Sequence, residues 1–218
     1  AGQVDVALMP VIDLIRRGKE CRVISDACIG CDGETLTVRV FSRVAPERIR
    51  TLHVDGESHT SVALSRVLWA ELHGVDLDIQ PFPGKERANE CDAILLIGDK
   101  VVNHGLVGHE IETDLGSAWK SLTSLPFVFA AWAIPAGREN EPLARMLNDA
   151  RDLGVRSAAM IAEDLGPGMG WPISLARRYL TARLKFHLGA RERAAMARFF
   201  DLAQRHGVVE APRELVFA

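Results

Sequence analysis

Apolar positions along the chain follow two periods. Val4-Asp5-Val6-Ala7-Leu8-Met9 alternates weakly and halts at Pro10, which predicts a buried strand turning into a short helix that ends at Arg17-Gly18. Leu36, Val38 and Val40 alternate with Thr37, Arg39 and Phe41, the signature of a two-faced strand, expected at an edge or hinge. From Thr51 the pattern predicts strand (Thr51 to Asp55), helix (His59 to His73), strand (Leu77 to Phe82), short helix and strand (Ala93 to Ile97). The last of these is apolar throughout, as for a parallel strand covered on both faces, and right-handed crossovers place all three strands in one sheet. Phe127 to Ile134 predicts another buried strand. Beyond it the chain reads as helical to its end, over Pro142 to Leu153, Pro172 to Leu188 and Ala190 to His206, with Gly154, Gly189 and Gly207 as stops. In the middle helix Ile173, Ala176, Leu180, Leu184 and Leu188 form one apolar stripe, which reads as core.

No internal repeat or low-complexity tract is visible, so a second lobe has to arise by the chain crossing over and returning. The crossings are expected near residues 43 and 126. An inner α/β lobe would span 43–126, and an outer lobe would combine 1–42 with 127–218.

Composition narrows the partners. With 48% hydrophobic and 25% charged residues among 218, the chain has an ordinary globular balance. A net charge of -3 offers no bulk attraction to nucleic acid or to anionic membranes, so a small-molecule partner is expected, with neither of those and with a monomer or homodimer as the assembly. The longest apolar stretch, Leu125 to Ala136, falls short of the about twenty residues that a membrane span requires. Four cysteines, at 21, 28, 31 and 91, suggest no disulfide framework and fit a reducing cytoplasm. Cys28-Ile29-Gly30-Cys31 has metal or redox spacing, but no second such pair follows, so no metal and no cofactor are expected. Ala1-Gly2-Gln3 has no initiator Met or basic leader and runs almost directly into a strand, a start that reads as cut.

Candidate chemistry concentrates after the strand at Thr51. In Gly56-Glu57-Ser58-His59-Thr60-Ser61, Ser58 is the expected N-cap, and Thr60 and Ser61 fall in the first turn, where free N–H groups and the helix dipole favour an anion. The same residues are also read as a plain cap on a helix whose inner face is Val62, Leu64, Val67, Leu68 and Leu72. Gly98-Asp99 directly follows a buried strand, where open parallel sheets bind ligands; Asp99 is read as a base, a hydrogen-bond acceptor or a helix cap. Gly30-Cys31-Asp32-Gly33 is a glycine-flanked turn. His187 and His206 read as favourable charges near helix C-termini. Walker loops, dinucleotide fingerprints, serine elbows and paired metal histidines are absent from the sequence, which disfavours those enzyme classes.

Several of these segments, in order, resemble the chorismate dehydratase family (MqnA) of the futalosine route to menaquinone. They are Val4 to Pro10, Ile29 to Gly33, Ser58 to Val62, Leu96 to Asp99, Asp114 to Lys120 continuing through Leu125 to Ala133, and Phe199 to Ala203. The resemblance implies a two-lobed α/β fold of the type II periplasmic-binding-protein kind, with a helical C-terminus, and a lyase converting chorismate to 3-[(1-carboxyvinyl)oxy]benzoate. It implies that Ser58, Thr60 and Ser61 hold a substrate carboxylate, with His59 in the same substrate-binding segment, and that Gly98, Asp99, Cys31, Asp32, Gly33, Met9 and Pro10 line the cleft. The related enzyme that cleaves cyclic dehypoxanthine futalosine (MqnD) carries a catalytic histidine where this chain has Gly98, which favours the dehydratase. Family members also begin with a strand and helix, including an asparagine-bearing turn that contributes to the active site, so the resemblance places part of the catalytic machinery ahead of Ala1. The alternative is a non-catalytic solute-binding or effector-sensing protein of the same fold.

Overall fold

The computed structural model describes residues 4–56, 58–138, 140–210 and 215–217. Strand β1 (Ala7–Pro10) passes directly into α1 (Val11–Arg17), and β2 (Cys21–Cys31), β3 (Val38–Ser42) and β4 (Thr51–Val54) follow. Next come α2 (His59–His73), β5 (Asp78–Pro81), β6 (Ala93–Ile97), the single turn α3 (Asp99–Val102), β7 (Ile111–Asp114), α4 (Leu115–Thr123) and β8 (Phe127–Pro135). The chain finishes with α5 (Glu141–Leu165), α6 (Ile173–Arg178), β9 (Leu184–His187), α7 (Ala190–Arg205) and β10 (Val216–Phe217).

Two sheets result. The first has the order β1-β8-β2-β10, with β9 also on β2, and the second has the order β5-β4-β6-β3-β7. Strands β4, β5 and β6 run parallel, as the strand–helix–strand order with right-handed crossovers predicts, whereas β3 lies antiparallel to both β6 and β7. The helix predicted at His59 has the predicted limits for local reasons. Ser58 caps its start, accepting from the Ser61 N–H at 3.2 Å, and Gly74 ends it in the left-handed conformation at φ 65°. One core joins the two sheets: Leu64 and Leu68 of α2 belong to the same buried cluster as Leu52 and Leu95 of the second sheet, Ile12 and Leu14 of α1, and Phe199 and Leu202 of α7. Trp119, Phe127 and Phe199 meet edge to face within it, at 5.0 to 6.0 Å between ring centroids.

Four expectations change. The crossing expected near residue 43 comes earlier, because β3 already belongs to the second sheet and sits inside it rather than at an edge. The helix expected to stop at Gly154 runs on to Leu165. A side chain at Gly154 would meet nothing within 4 Å, so that glycine only weakens the helix, by about 1 kcal/mol. The stripe from Ile173 to Leu188 is not one helix: α6 ends at Arg178, a single π-helical turn follows, and Leu184 to His187 form β9. That stretch pairs with Ala27, Gly30 and Cys31 along an edge of β2, and a ladder partner outweighs helical periodicity there. Gly189 therefore begins a helix instead of ending one, its N–H donating to Glu192 at 3.1 Å, and His187 lies on a strand rather than at a helix end.

Candidate functional site

Parallel strands β4 and β6 are hydrogen-bonded neighbours, so the segments that follow their carboxyl ends lie side by side. After β4 comes Asp55-Gly56 and the start of α2; after β6 comes Gly98-Asp99-Lys100. Lys100 Nζ joins the two turns, 2.7 Å from Asp55 Oδ2. The carboxyl edge of a parallel sheet is where open α/β folds bind ligands. Gly98 has φ 60° and ψ -141°, a backbone conformation that suits glycine and lets the chain turn sharply out of β6 into α3.

The start of α2 presents two faces. Ser58 and His59, with Gly56, Val62, Ala63 and Arg66, line a cavity of about 320 Å³ that Arg16, Ile79 and Val208 complete. Two arginines reach this cavity, each paired with a carboxylate: Arg16 with Asp13 and Arg66 with Asp76, both at 3.1 Å. His59 Nδ1 lies 2.7 Å from Asp13 Oδ2, and Arg16 is 3.1 Å from the other oxygen of the same carboxylate. Ser58 takes up only the N–H of Ser61, and helix geometry gives the N–H groups of His59 and Thr60 no intrahelical acceptor. Thr60 and Ser61 face the other way and are each 2% exposed. Thr60 Oγ1 donates to the Phe129 carbonyl of β8 at 3.1 Å and accepts from the Ile12 N–H at 3.5 Å, while the Ser61 hydroxyl accepts from Ser58 Oγ at 2.8 Å. Met9 and Pro10 end β1, two residues short of Ile12, and are paired with Ala131 and Ala130 of β8. The structure thus gathers Met9, Pro10, Ser58, His59, Thr60 and Ser61 at one junction, with Gly98 and Asp99 on the adjacent strand end.

Cys31-Asp32-Gly33 sits where the chain leaves the first sheet. Cys31 is buried, and its thiol is pushed up to about 12, chiefly by desolvation; Cys28 is raised to about 12 for the same first reason. Neither is poised as a nucleophile or metal ligand, and no group of metal-ligating side chains occurs among the described residues. The Asp32 carboxylate is engaged by Lys120 at 2.6 Å and Arg191 at 3.2 Å, which hold it below the usual carboxylate range. Gly33 backs onto α4, where a side chain at Gly116 would come within 2.3 Å of the Gly33 carbonyl.

Two long-range contacts of this region are not marked by the pattern of the sequence. Trp171 Nε1 donates to Asp99 Oδ1 at 2.7 Å, and the Thr37 hydroxyl donates to Tyr179 Oη at 3.0 Å. Both contacts carry the segment after α5 across to the second sheet. The local signal for the first is a buried tryptophan set between Gly170 and Pro172.

Residues 1–205 match the family described as Menaquinone biosynthesis. The chain belongs to that family. A chorismate dehydratase of Thermus thermophilus is 28% identical over 220 residues, covering 92% of this chain and 80% of the relative. Among solved structures, a protein of Archaeoglobus fulgidus is similar with a TM-score of 0.64 at 16% identity, covering 95% of this chain and 81% of that one. The alkanesulfonate-binding protein SsuA of Xanthomonas axonopodis pv. citri, bound to MOPS, also gives 0.64 at 16% identity, over 100% of this chain and 82% of that one. The periplasmic aliphatic sulphonate binding protein SsuA of Escherichia coli gives 0.54 at 12%, over 98% and 79%. These likenesses establish the fold of the family member as the two-lobed α/β fold of periplasmic solute-binding proteins. No described helix is long and apolar enough to cross a membrane.

Proposed function

We propose that the protein removes water from chorismate to give 3-[(1-carboxyvinyl)oxy]benzoate in menaquinone biosynthesis, in the cytoplasm. The observation that carries this reading is the family match along residues 1–205, supported by the likeness to the Thermus thermophilus chorismate dehydratase. In this reading the chain folds as an inner lobe built on the second sheet and an outer lobe built on the first, and chorismate lies in the cleft between them. One of its carboxylates sits on the first turn of α2, where the N–H groups of His59 and Thr60 have no intrahelical acceptor and the helix dipole favours negative charge. Asp99, at the carboxyl end of β6, accepts the hydrogen bond of the ring hydroxyl. Met9, Pro10 and Gly98 wall the cleft.

In the elimination, a proton leaves the ring carbon that bears the enolpyruvyl ether. The electron pair of that C–H bond becomes the last double bond of the ring, and the neighbouring hydroxyl leaves with a proton as water. Aromatisation supplies much of the driving force, so the protein's task is to hold the ring and to stabilise the charge that develops as the proton departs, with the substrate's side-chain carboxylate as the base. No metal or cofactor enters this scheme.

Incubation of purified protein with chorismate, followed by chromatography with ultraviolet detection, tests the reading. Appearance of the carboxyvinyloxybenzoate at the rate chorismate disappears is expected. Unchanged chorismate, or binding without conversion, sinks it.

A further inference from the structure

Trp171 is held by its neighbours as a rigid donor. Gly170 turns at φ 75° and its Cα side abuts Asn103, Pro172 follows immediately, and the Trp171 N–H donates to the Gly166 carbonyl at 2.9 Å. The ring is 7% exposed, packs with Leu36, Ala162 and Ala176, and tilts against Tyr179 with centroids 5.1 Å apart. An indole has a single polar atom, which donates only. Here that atom meets Asp99 Oδ1 at 2.7 Å, at the short end for an N–H donating to a carboxylate. Asp99 opens the four-residue turn α3 and its side chain is exposed, so its own element does little to fix it. One carboxylate oxygen is thereby pinned by a residue of the segment after α5, and the other is given a fixed direction.

We infer that Trp171 is a positioning residue for the dehydration: its indole N–H orients the Asp99 carboxylate so that the second oxygen meets the hydroxyl that leaves the ring. The inference rests on the dehydratase reading of the cleft and adds a residue from the segment after α5. The bond reaches Asp99 from a residue 72 positions away, so it forms only when that segment lies against α3. Loss of the donor frees the carboxylate without removing it. That lowers the rate of the chemical step more than it weakens substrate binding, because orientation contributes mainly to kcat.

Trp171→Phe keeps the aromatic packing and removes the donor. The expected result is a fall in kcat of about ten-fold with KM changed less than about two-fold, the loss expected for one hydrogen bond to a charged group. Asp99→Asn keeps an acceptor for the indole but lowers the rate itself, and in that background Trp171→Phe should change kcat less than about two-fold. Equal losses in both backgrounds would show that Trp171 acts through general packing and overturn the inference, as would wild-type kcat in the single variant. The indole N–H resonance of Trp171, assigned by its disappearance in Trp171→Phe, gives a readout independent of turnover. It should move when chorismate is added. A moving resonance without product formation removes the dehydratase reading and leaves Asp99 orientation standing, whereas a static resonance overturns the inference whether or not product forms.

Discussion

Thr60→Val tests how the start of α2 is fastened to the first sheet. The two side chains have nearly the same shape, so the exchange removes a hydroxyl and little else. That hydroxyl is 2% exposed and serves the Phe129 carbonyl and the Ile12 N–H. The carbonyl is the sensitive partner. The β2–β8 ladder pairs Ile29 with Ala130 and Gly30 with Val128, so Phe129 falls at the register shift and has no opposite residue on β2. A buried carbonyl deprived of its donor costs about 1–3 kcal/mol; the 3.5 Å contact to Ile12 is long and adds little, giving about 2 kcal/mol in all. For a chain of this length that corresponds to a melting temperature lower by roughly 4–8 °C. Thr60→Ser keeps the donor and loses one buried methyl, for about 1 kcal/mol. Thermal unfolding followed by circular dichroism compares the three proteins. Val at least as stable as wild type, with Ser less stable than Val, would show that the methyl matters and the hydroxyl does not, and the argument from the register shift would fail.

The Cys28 and Cys31 thiols, raised to about 12 from 9.0, should resist alkylation at pH 8 until the protein is denatured; rapid labelling of the folded chain would contradict their burial. Because folding raises these values, their contribution to stability is complete below pH 9 and declines as pH climbs toward 12, which denaturant titrations across that window would register. Asp32 is lowered, first by its hydrogen bond from Lys120, so Lys120→Met should return its titration toward 3.8, read by NMR of the carboxyl carbon. The sign is that of a paired acid: the Asp32 contribution is present above 3.8 and fades as pH falls below it. Gly116→Ala forces a Cβ to within 2.3 Å of the Gly33 carbonyl and the Thr35 methyl and 2.7 Å of Cys31 Sγ, and should cost about 3 kcal/mol in denaturant unfolding; an unchanged midpoint would mean that the crossing segment yields easily.

What the sequence made legible follows from where each signal lives. Strand β6 is readable because it is buried on both faces and so is apolar at every position. Helix α2 is readable because Ser58 and Gly74 write its two ends into the chain. Strand β2 is not. Ser25, Asp26 and Gly30 break its alternation, and its ladder with β8 shifts register twice, so neither period survives along its length. The stretch from Tyr179 to His187 misleads because its apolar spacing suits a helix, while the edge of β2 that turns it into a strand lies more than 150 residues earlier in the chain. In the site, adjacency of the α2 start and Gly98-Asp99 follows from parallel neighbours in a sheet and was predictable. The burial of Thr60 against β8 and the approach of Trp171 to Asp99 were not, since each is a contact between distant segments that no local spacing encodes.

Asp114 caps α4 and also holds the chain ahead of β3. Its carboxylate accepts the N–H groups of Thr35 and Leu36 at 3.0 and 2.8 Å, on the segment that carries the chain into the second sheet. It also accepts from Ser117 at 3.0 Å, at the start of the helix that carries the chain back. Leu36 is held there at φ 72°, a conformation that costs a leucine about 1–2 kcal/mol and is kept by what surrounds it. One side chain therefore ties the segment that enters the second sheet to the start of the helix that follows it. Loss of this one carboxylate would leave three backbone N–H groups without their acceptor and loosen both segments at once.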